Sequence, residues 1–84
     1  MNSMSATLQI LVPKVGMDTT EVTVTKWLAK IGDSIAKGVP LVELESEKVT
    51  FAMESEVTGE LVEIYQPDGS VVPVGQPLCL VKIG

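Results

Sequence analysis

The sequence nearly repeats itself after 37 residues, and this repeat constrains its fold more than any other feature. A shift of 37 positions superposes four identical pairs: Gly32 on Gly69, Gly38 on Gly75, Pro40 on Pro77 and Leu41 on Leu78. The same shift places Val24 on Leu61, so apolar character is retained as well. Two halves with one pattern predict two similar substructures related by a pseudo-two-fold axis. The alternative is a chance recurrence of Gly-x-Pro-Leu.

Apolar and polar residues alternate in six short windows that glycine and proline interrupt. The windows are residues 8–12, 22–28, 42–44, 51–53, 61–65 and 78–83. Alternation with many Val, Ile and Thr residues is typical of half-buried strands. A helix over residues 21–31 is disfavoured because Val22 to Thr25 is β-branched throughout. The pattern predicts an all-β sandwich or barrel, with each half supplying about four strands.

Composition excludes several function classes. The 84 residues suffice for one small domain and include no His, no Arg, six Lys and eleven acidic residues, for a net charge of -5. Histidine catalysis and histidine metal ligation are excluded, and binding to nucleic acid or to an anionic membrane is disfavoured. The single cysteine excludes an internal disulfide. We expect residues 1–6 to be a disordered or expression-derived tail and residues 7–84 to form the domain.

A β-hairpin is predicted around Lys48, because one register keeps the apolar residues on one face. With a two-residue turn at residues 47–48, the pairs are Glu45 with Thr50, Leu44 with Phe51, and Val42 with Met53. Glu-Lys is a poor pair for such a turn, in which Asn-Gly or Asp-Gly is favoured. An unfavourable residue choice at a tip indicates a function.

Lys48 at this tip has two interpretations. A lysine at a hairpin tip is commonly a solvated charge that limits edge association. A catalytic Schiff-base lysine needs a desolvated pocket or a cationic neighbour, whereas Glu45 and Glu47 are acidic. We therefore expect Lys48 not to be catalytic, and to be well placed to carry a group that another enzyme attaches.

The segment Glu45-Ser46-Glu47-Lys48-Val49 resembles the acidic-x-acidic-Lys-small signature of lipoyl domains. These are carrier modules of 2-oxo acid and acetoin dehydrogenase acyltransferases. Further marks at the family's spacing extend from about Leu8 to Ile83, and they are Pro13 to Met17, Trp27-Leu28, Gly32-Asp33, Gly38 and Gly59. Val22 and Val39 stand where the family usually has Gly and Asp.

The resemblance implies a flattened eight-stranded sandwich, a barrel-sandwich hybrid, with pseudo-two-fold symmetry between two four-stranded halves. It implies that lipoate is amide-linked to Lys48, with Glu47 and Val49 as flanking recognition residues. The implied partners are a lipoyl ligase or transferase, a thiamine-diphosphate-dependent decarboxylase, an acyltransferase active site and dihydrolipoamide dehydrogenase. The domain would carry acyl groups and electrons between these active sites and would not itself be an enzyme.

The resemblance also assigns partner recognition to a loop beside the attachment lysine. The residues of this recognition set are Val15, Gly16, Met17, Asp18 and Glu45. The alternative for Met17 is that it folds back onto the core. Four acidic residues are expected to crowd the tip, namely Glu45, Glu47, Glu54 and Glu56. They would either steer a partner or simply form a solvated face.

Three alternatives to lipoylation remain. A biotin carrier has the same fold, which makes biotin the alternative cofactor. The Met-Lys-Met signature of biotin carriers is, however, absent around Lys48. An unmodified interaction domain of this fold is the second alternative, and an enzyme is the third. We expect a monomer, located in the cytoplasm of a bacterium or in the mitochondrial matrix of a eukaryote.

Two residues with functional potential are expected to be structural. Trp27 is expected to pack in or against the core rather than to form a binding platform. Cys79 lies between Leu78 and Leu80 in a strand pattern, which indicates a buried and inert thiol.

Overall fold

The computed structural model describes residues 6–83, which form eight β-strands. The strands are β1 Ala6–Leu11, β2 Glu21–Trp27, β3 Ser34–Ile35, β4 Pro40–Glu45, β5 Thr50–Glu54, β6 Gly59–Ile64, β7 Val71–Pro73 and β8 Pro77–Ile83. Residues 1–5 of the predicted tail lie outside the described residues, and Ala6 begins β1. The six alternating windows correspond to β1, β2, β4, β5, β6 and β8, whereas no alternating window marks the positions of β3 and β7.

The strands form two four-stranded antiparallel sheets. Their orders are β1-β8-β6-β3 and β5-β4-β2-β7, so each sheet takes two strands from each half of the chain. The predicted eight-stranded sandwich is therefore confirmed. No helix in residues 6–83 is long and apolar enough to cross a membrane.

The 37-residue repeat is reproduced in the strand register. The equivalent pairs are Trp27–Val42 and Val24–Leu44 in one sheet, and Ile64–Cys79 and Leu61–Val81 in the other. Both strand pairs carry a bulge at the same place, after Val24 and after Leu61. The turns match as well, because Gly32 and Gly69 have φ of 98° and 90°, a region that favours glycine. The pseudo-two-fold prediction is confirmed.

The core between the sheets is almost wholly aliphatic. Its buried members are Ile10, Val12, Val22, Val24, Ala29, Ile35, Leu41, Val42, Leu44, Leu61, Val72, Leu78, Cys79 and Val81. Trp27 packs against this core half-buried, and its indole Nε1–H donates to the carbonyl oxygen of Gln66 at 2.6 Å. The predicted packing role of Trp27 and the predicted burial of Cys79 are both confirmed.

The repeat is broken where β6 passes close to β8. A Cβ placed on Gly59 would overlap the backbone carbonyl oxygen of Lys82 and lie 2.9 Å from Cγ1 of Val81. Val22 occupies the equivalent position 37 residues earlier, and its side chain is buried in the core. The β2 strand therefore accommodates a side chain at a point where β6 cannot.

We predict that Gly59→Ala destabilises the domain by about 1–3 kcal/mol, because the added methyl group meets backbone that cannot rotate away. Thermal and urea unfolding followed by the fluorescence of Trp27 measure this change. Gly16→Ala is the control, since a Cβ there would lie 3.3 Å from the hydroxyl oxygen of Thr19. We expect it to cost less than about 1 kcal/mol. Equal stability of Gly59→Ala and the wild type would contradict the close approach.

Candidate functional site

The β4–β5 hairpin places residues 46–49 at its tip. The predicted pairs are all present, namely Glu45–Thr50, Leu44–Phe51 and Val42–Met53. The backbone N–H of Ser46 donates to the carbonyl oxygen of Val49 at 2.8 Å and closes a two-residue turn at Glu47 and Lys48. The predicted hairpin and its register are confirmed, and Lys48 is exposed at the tip.

The backbone of this turn differs from that of most two-residue hairpins. Tight hairpins favour primed turns, which need positive φ. No residue other than glycine has positive φ within residues 6–83. The hydroxyl of Ser46 compensates by accepting the backbone N–H groups of Lys48 at 3.3 Å and of Val49 at 3.1 Å. The turn is therefore stabilised by a side chain instead of by glycine.

The residues beside Lys48 are exposed to solvent. Glu45 and Glu47 are exposed carboxylates, and Val49 is an apolar side chain with 48% of its surface exposed. The buried side of the same hairpin is Val42 and Leu44, both essentially inaccessible. The lysine amine thus projects from a support that is anchored in the core.

The β1–β2 loop contacts the tip through Thr19. Its hydroxyl donates to Oε2 of Glu47 at 3.4 Å, and its side chain is 5% exposed. The N–H of Thr19 donates to the carbonyl oxygen of Gly16 at 3.2 Å, which folds the loop into a turn. The loop therefore reaches the residue before Lys48, as the resemblance implied.

The four predicted recognition residues of this loop differ in exposure. Met17 is 91% exposed, so the alternative in which it folds onto the core is wrong. Gly16 and Asp18 are exposed, whereas Val15 is partly buried and packs against the core. The loop thus presents a fully exposed methionine beside a carboxylate.

The acidic surface near the tip differs from the expected one. A groove of about 250 Å³ is lined by Glu21, Val22, Thr23, Glu45, Ser46 and Glu47. Glu54 pairs with Pro40 at the end of β5 away from the tip, and Glu56 follows it. The expectation that Glu54 and Glu56 crowd the tip is therefore wrong, because β5 carries them away from it. Glu21, from β2, lies there instead.

The chemistry available at this site is that of an exposed primary amine. No group of three or more potential metal ligands occurs within the described part of the chain. The thiol of Cys79 is buried, and desolvation raises its pKa to about 11. A hairpin tip that is anchored in the core and carries a solvent-exposed lysine can present a covalently attached group to other proteins.

Three residues of the site were not singled out from the sequence. Ser46 had a signal, since a small hydroxyl residue preceded a turn pair that is unfavourable by itself. Thr19 and Glu21 had none, because both reach the tip through contacts between distant segments.

The comparisons with known proteins agree with one another. The sequence model of the biotin/lipoyl family, described as "Biotin-requiring enzyme", matches residues 8–81. The dihydrolipoyllysine-residue succinyltransferase component of the 2-oxoglutarate dehydrogenase complex of Bartonella vinsonii subsp. berkhoffii is 45% identical over 78 residues. That alignment covers 93% of this chain and 19% of the relative.

A second relative and a solved structure extend this similarity. The dihydrolipoyllysine-residue acetyltransferase component of the pyruvate dehydrogenase complex of Mycobacterium bovis is 42% identical, over 88% of this chain and 13% of the relative. The chain thus spans less than a fifth of the length of both relatives. The solution structure of the lipoyl domain of the 2-oxoglutarate dehydrogenase complex from Azotobacter vinelandii has a TM-score of 0.73 and 27% identity. That match covers 90% of this chain and 98% of the solved domain.

We predict that the unfolding free energy falls as pH rises from about 9 to about 11, relative to a Cys79→Val variant. The folded state raises the pKa of this thiol from 9.0 to about 11, so above pH 9 the unfolded state loses the proton first. The expected difference is on the order of 2 kcal/mol across this range. Urea unfolding at several pH values measures it. Parallel pH profiles for the two proteins would contradict the burial of an uncharged thiol.

Proposed function

Because the chain belongs to the biotin/lipoyl family, we propose that it is a lipoyl carrier domain whose cofactor is joined by an amide bond to Lys48. The observation that carries this proposal is the position of Lys48, exposed at a two-residue tip of the β4–β5 hairpin. Attachment at the tip leaves the core untouched, because the tip residues 47–49 are exposed.

The residues at the tip suit a long covalent arm. The amine of Lys48 can form an amide with a carboxylic acid cofactor, and the exposed flanks Glu47 and Val49 leave space for an attaching enzyme. When bound, a lipoyl group supplies a dithiolane ring that accepts an acyl group and two electrons. The chain itself holds the attachment point on a strand pair whose inner side is buried at Val42 and Leu44.

Lipoate is favoured over biotin on two grounds. The flanks of Lys48 are Glu47 and Val49, which differ from the Met-Lys-Met of biotin carriers. The relatives are dihydrolipoyllysine-residue acyltransferases, and the similar solved domain is a lipoyl domain. Biotin remains the alternative cofactor, because the matching family includes both kinds of carrier.

The relatives support a place within a 2-oxo acid dehydrogenase complex. We assign the chain to an acyltransferase component, with a decarboxylase, the acyltransferase active site and dihydrolipoamide dehydrogenase as partners. The recognition surface consists of Val15, Gly16, Met17, Asp18 and Glu45, of which Met17 is the most exposed apolar side chain. The relatives are bacterial proteins, which supports a cytoplasmic location.

We predict that Lys48→Arg abolishes lipoylation and leaves the melting temperature within about 2 °C of the wild type, since an exposed tip residue contributes little to stability. Lys37→Arg is the control, because Lys37 is also an exposed lysine in a turn. It should be lipoylated as fast as the wild type. Incubation with lipoate, ATP and a lipoyl ligase, followed by intact-mass measurement, tests both variants. Full modification of Lys48→Arg would contradict the assignment.

We also predict that exchanging the two tip residues, Glu47→Lys with Lys48→Glu, slows lipoylation about 100-fold or more. Composition and charge are unchanged, but the lysine side chain now extends from position 47 of the turn instead of position 48. Misplacing a reacting atom by about 1 Å can have an effect of that size. The initial rate of mass gain with the same ligase is the readout. A rate equal to that of the wild type would show that local sequence, and not register, defines the site.

A further inference from the structure

At the tip of the β4–β5 hairpin, Glu47-Lys48 is an unfavourable residue pair for a two-residue turn, and neither residue has a positive φ. This turn therefore does not obtain its geometry from the primed conformations that suit two-residue hairpins. Some other interaction must hold the chain between Ser46 and Val49. Without one, the lysine would be displayed on a turn with many conformations.

Ser46 supplies that interaction through its side chain. Its hydroxyl accepts the N–H groups of Lys48 at 3.3 Å and Val49 at 3.1 Å, and it lies 3.3 Å from the carbonyl oxygen of Val49, to which it can donate. Its backbone N–H donates to that same carbonyl at 2.8 Å. One side chain therefore binds the backbone of the lysine and of the residue that follows it.

The residue before the lysine is held separately. The carboxylate of Glu47 accepts a hydrogen bond from the hydroxyl of Thr19 in the β1–β2 loop, and Thr19 is itself buried. The hydroxyl of Ser46 therefore binds the backbone of Lys48 and Val49, whereas Thr19 binds only the side-chain carboxylate of Glu47, and the lysine side chain remains exposed. The tip thus combines a hydrogen-bonded backbone with an exposed amine.

We propose that Ser46 is a positioning residue for the modification of Lys48: its hydroxyl fixes the direction in which the lysine leaves the tip. This inference rests on the proposed function, because it concerns the same attachment reaction. A ligase that holds the hairpin must bring one amine to its reactive acyl group, and a disordered tip presents that amine in the right place only part of the time.

The chain contains a matched control for this role. Ser55, beyond the end of β5 away from the tip, makes a similar local turn: its hydroxyl donates to the carbonyl oxygen of Val57 at 2.6 Å and accepts the N–H of Val57 at 3.2 Å. Ser55 is 3% exposed, so its hydroxyl is the more buried of the two. Ser55→Ala should therefore reduce stability at least as much as Ser46→Ala while leaving the tip intact.

The test uses the chain without cofactor first. Backbone order parameters from NMR relaxation are compared for the wild type, Ser46→Ala and Ser55→Ala. In Ser46→Ala we expect the values for Lys48 and Val49 to fall from about 0.85 to below about 0.6, and in Ser55→Ala we expect them to stay unchanged. If the tip of Ser46→Ala is as ordered as that of the wild type, the proposal is overturned, whether lipoate or biotin is the cofactor.

The same proteins are then lipoylated with a lipoyl ligase, and kcat and KM are measured. We expect kcat/KM to fall about tenfold in Ser46→Ala, mostly in kcat, since the surrounding exposed surface is unchanged; a factor of ten corresponds to about 1.4 kcal/mol. Ser55→Ala should match the wild type. A wild-type rate for Ser46→Ala would overturn the positioning role, whereas no lipoylation of the wild type would instead overturn the proposed function.

A second pair of variants keeps the test valid if Ser46→Ala does not fold. The side chains of Ser46→Thr and Ser46→Val have nearly the same shape, and a methyl group in the second replaces the hydroxyl of the first. We expect Ser46→Thr to keep the tip ordered and to be modified within about threefold of the wild-type rate, while Ser46→Val loses about tenfold. Equal rates for the two variants would overturn the proposal.

Discussion

The register between β4 and β5 is the constraint on which the rest of the site depends. Val42 and Leu44 are buried against the opposite sheet, and a slip of one residue would turn both toward solvent. Burying a leucine or valine is worth about 1.5–3 kcal/mol, so a slipped hairpin is strongly disfavoured. The same register leaves Glu47 and Lys48 as the two residues of the turn. Core packing thereby determines which residue stands at the tip.

The internal repeat explains why this tip occurs in one sheet. In the other sheet the equivalent strand pair is β8 with β1, where Lys82 is opposite Thr7 as Glu45 is opposite Thr50. Since six strands, β2 to β7, lie between β1 and β8 along the chain, no hairpin connects these two. The two sheets share their strand order, bulges and glycine turns, and they differ where one of them presents a lysine. Lys48 therefore stands at the point where the symmetry of the two sheets ends.

Much of the fold was predictable because its signals are local. Alternation identified the six longer strands, and the apolar residues of the hairpin gave the correct pairs around Lys48. The strands β3 and β7 have two and three residues, which is too short for alternation to be visible. Thr19 and Glu21 approach the tip through the folded arrangement of three segments, and no pattern along the chain encodes that approach. Glu54 is close to Lys48 in sequence but distant in space, because β5 carries it to the end of the hairpin opposite the tip.

We propose that the β4–β5 hairpin displays Lys48 for lipoylation. The most direct measurement is peptide mapping by mass spectrometry after the wild-type chain has been exposed to lipoate and biotin together, with both of their ligases present. We expect a single lipoyl group, located on the peptide that contains Lys48 and on no other lysine. A biotinyl group at that position, a lipoyl group elsewhere, or a folded chain that remains unmodified would contradict it.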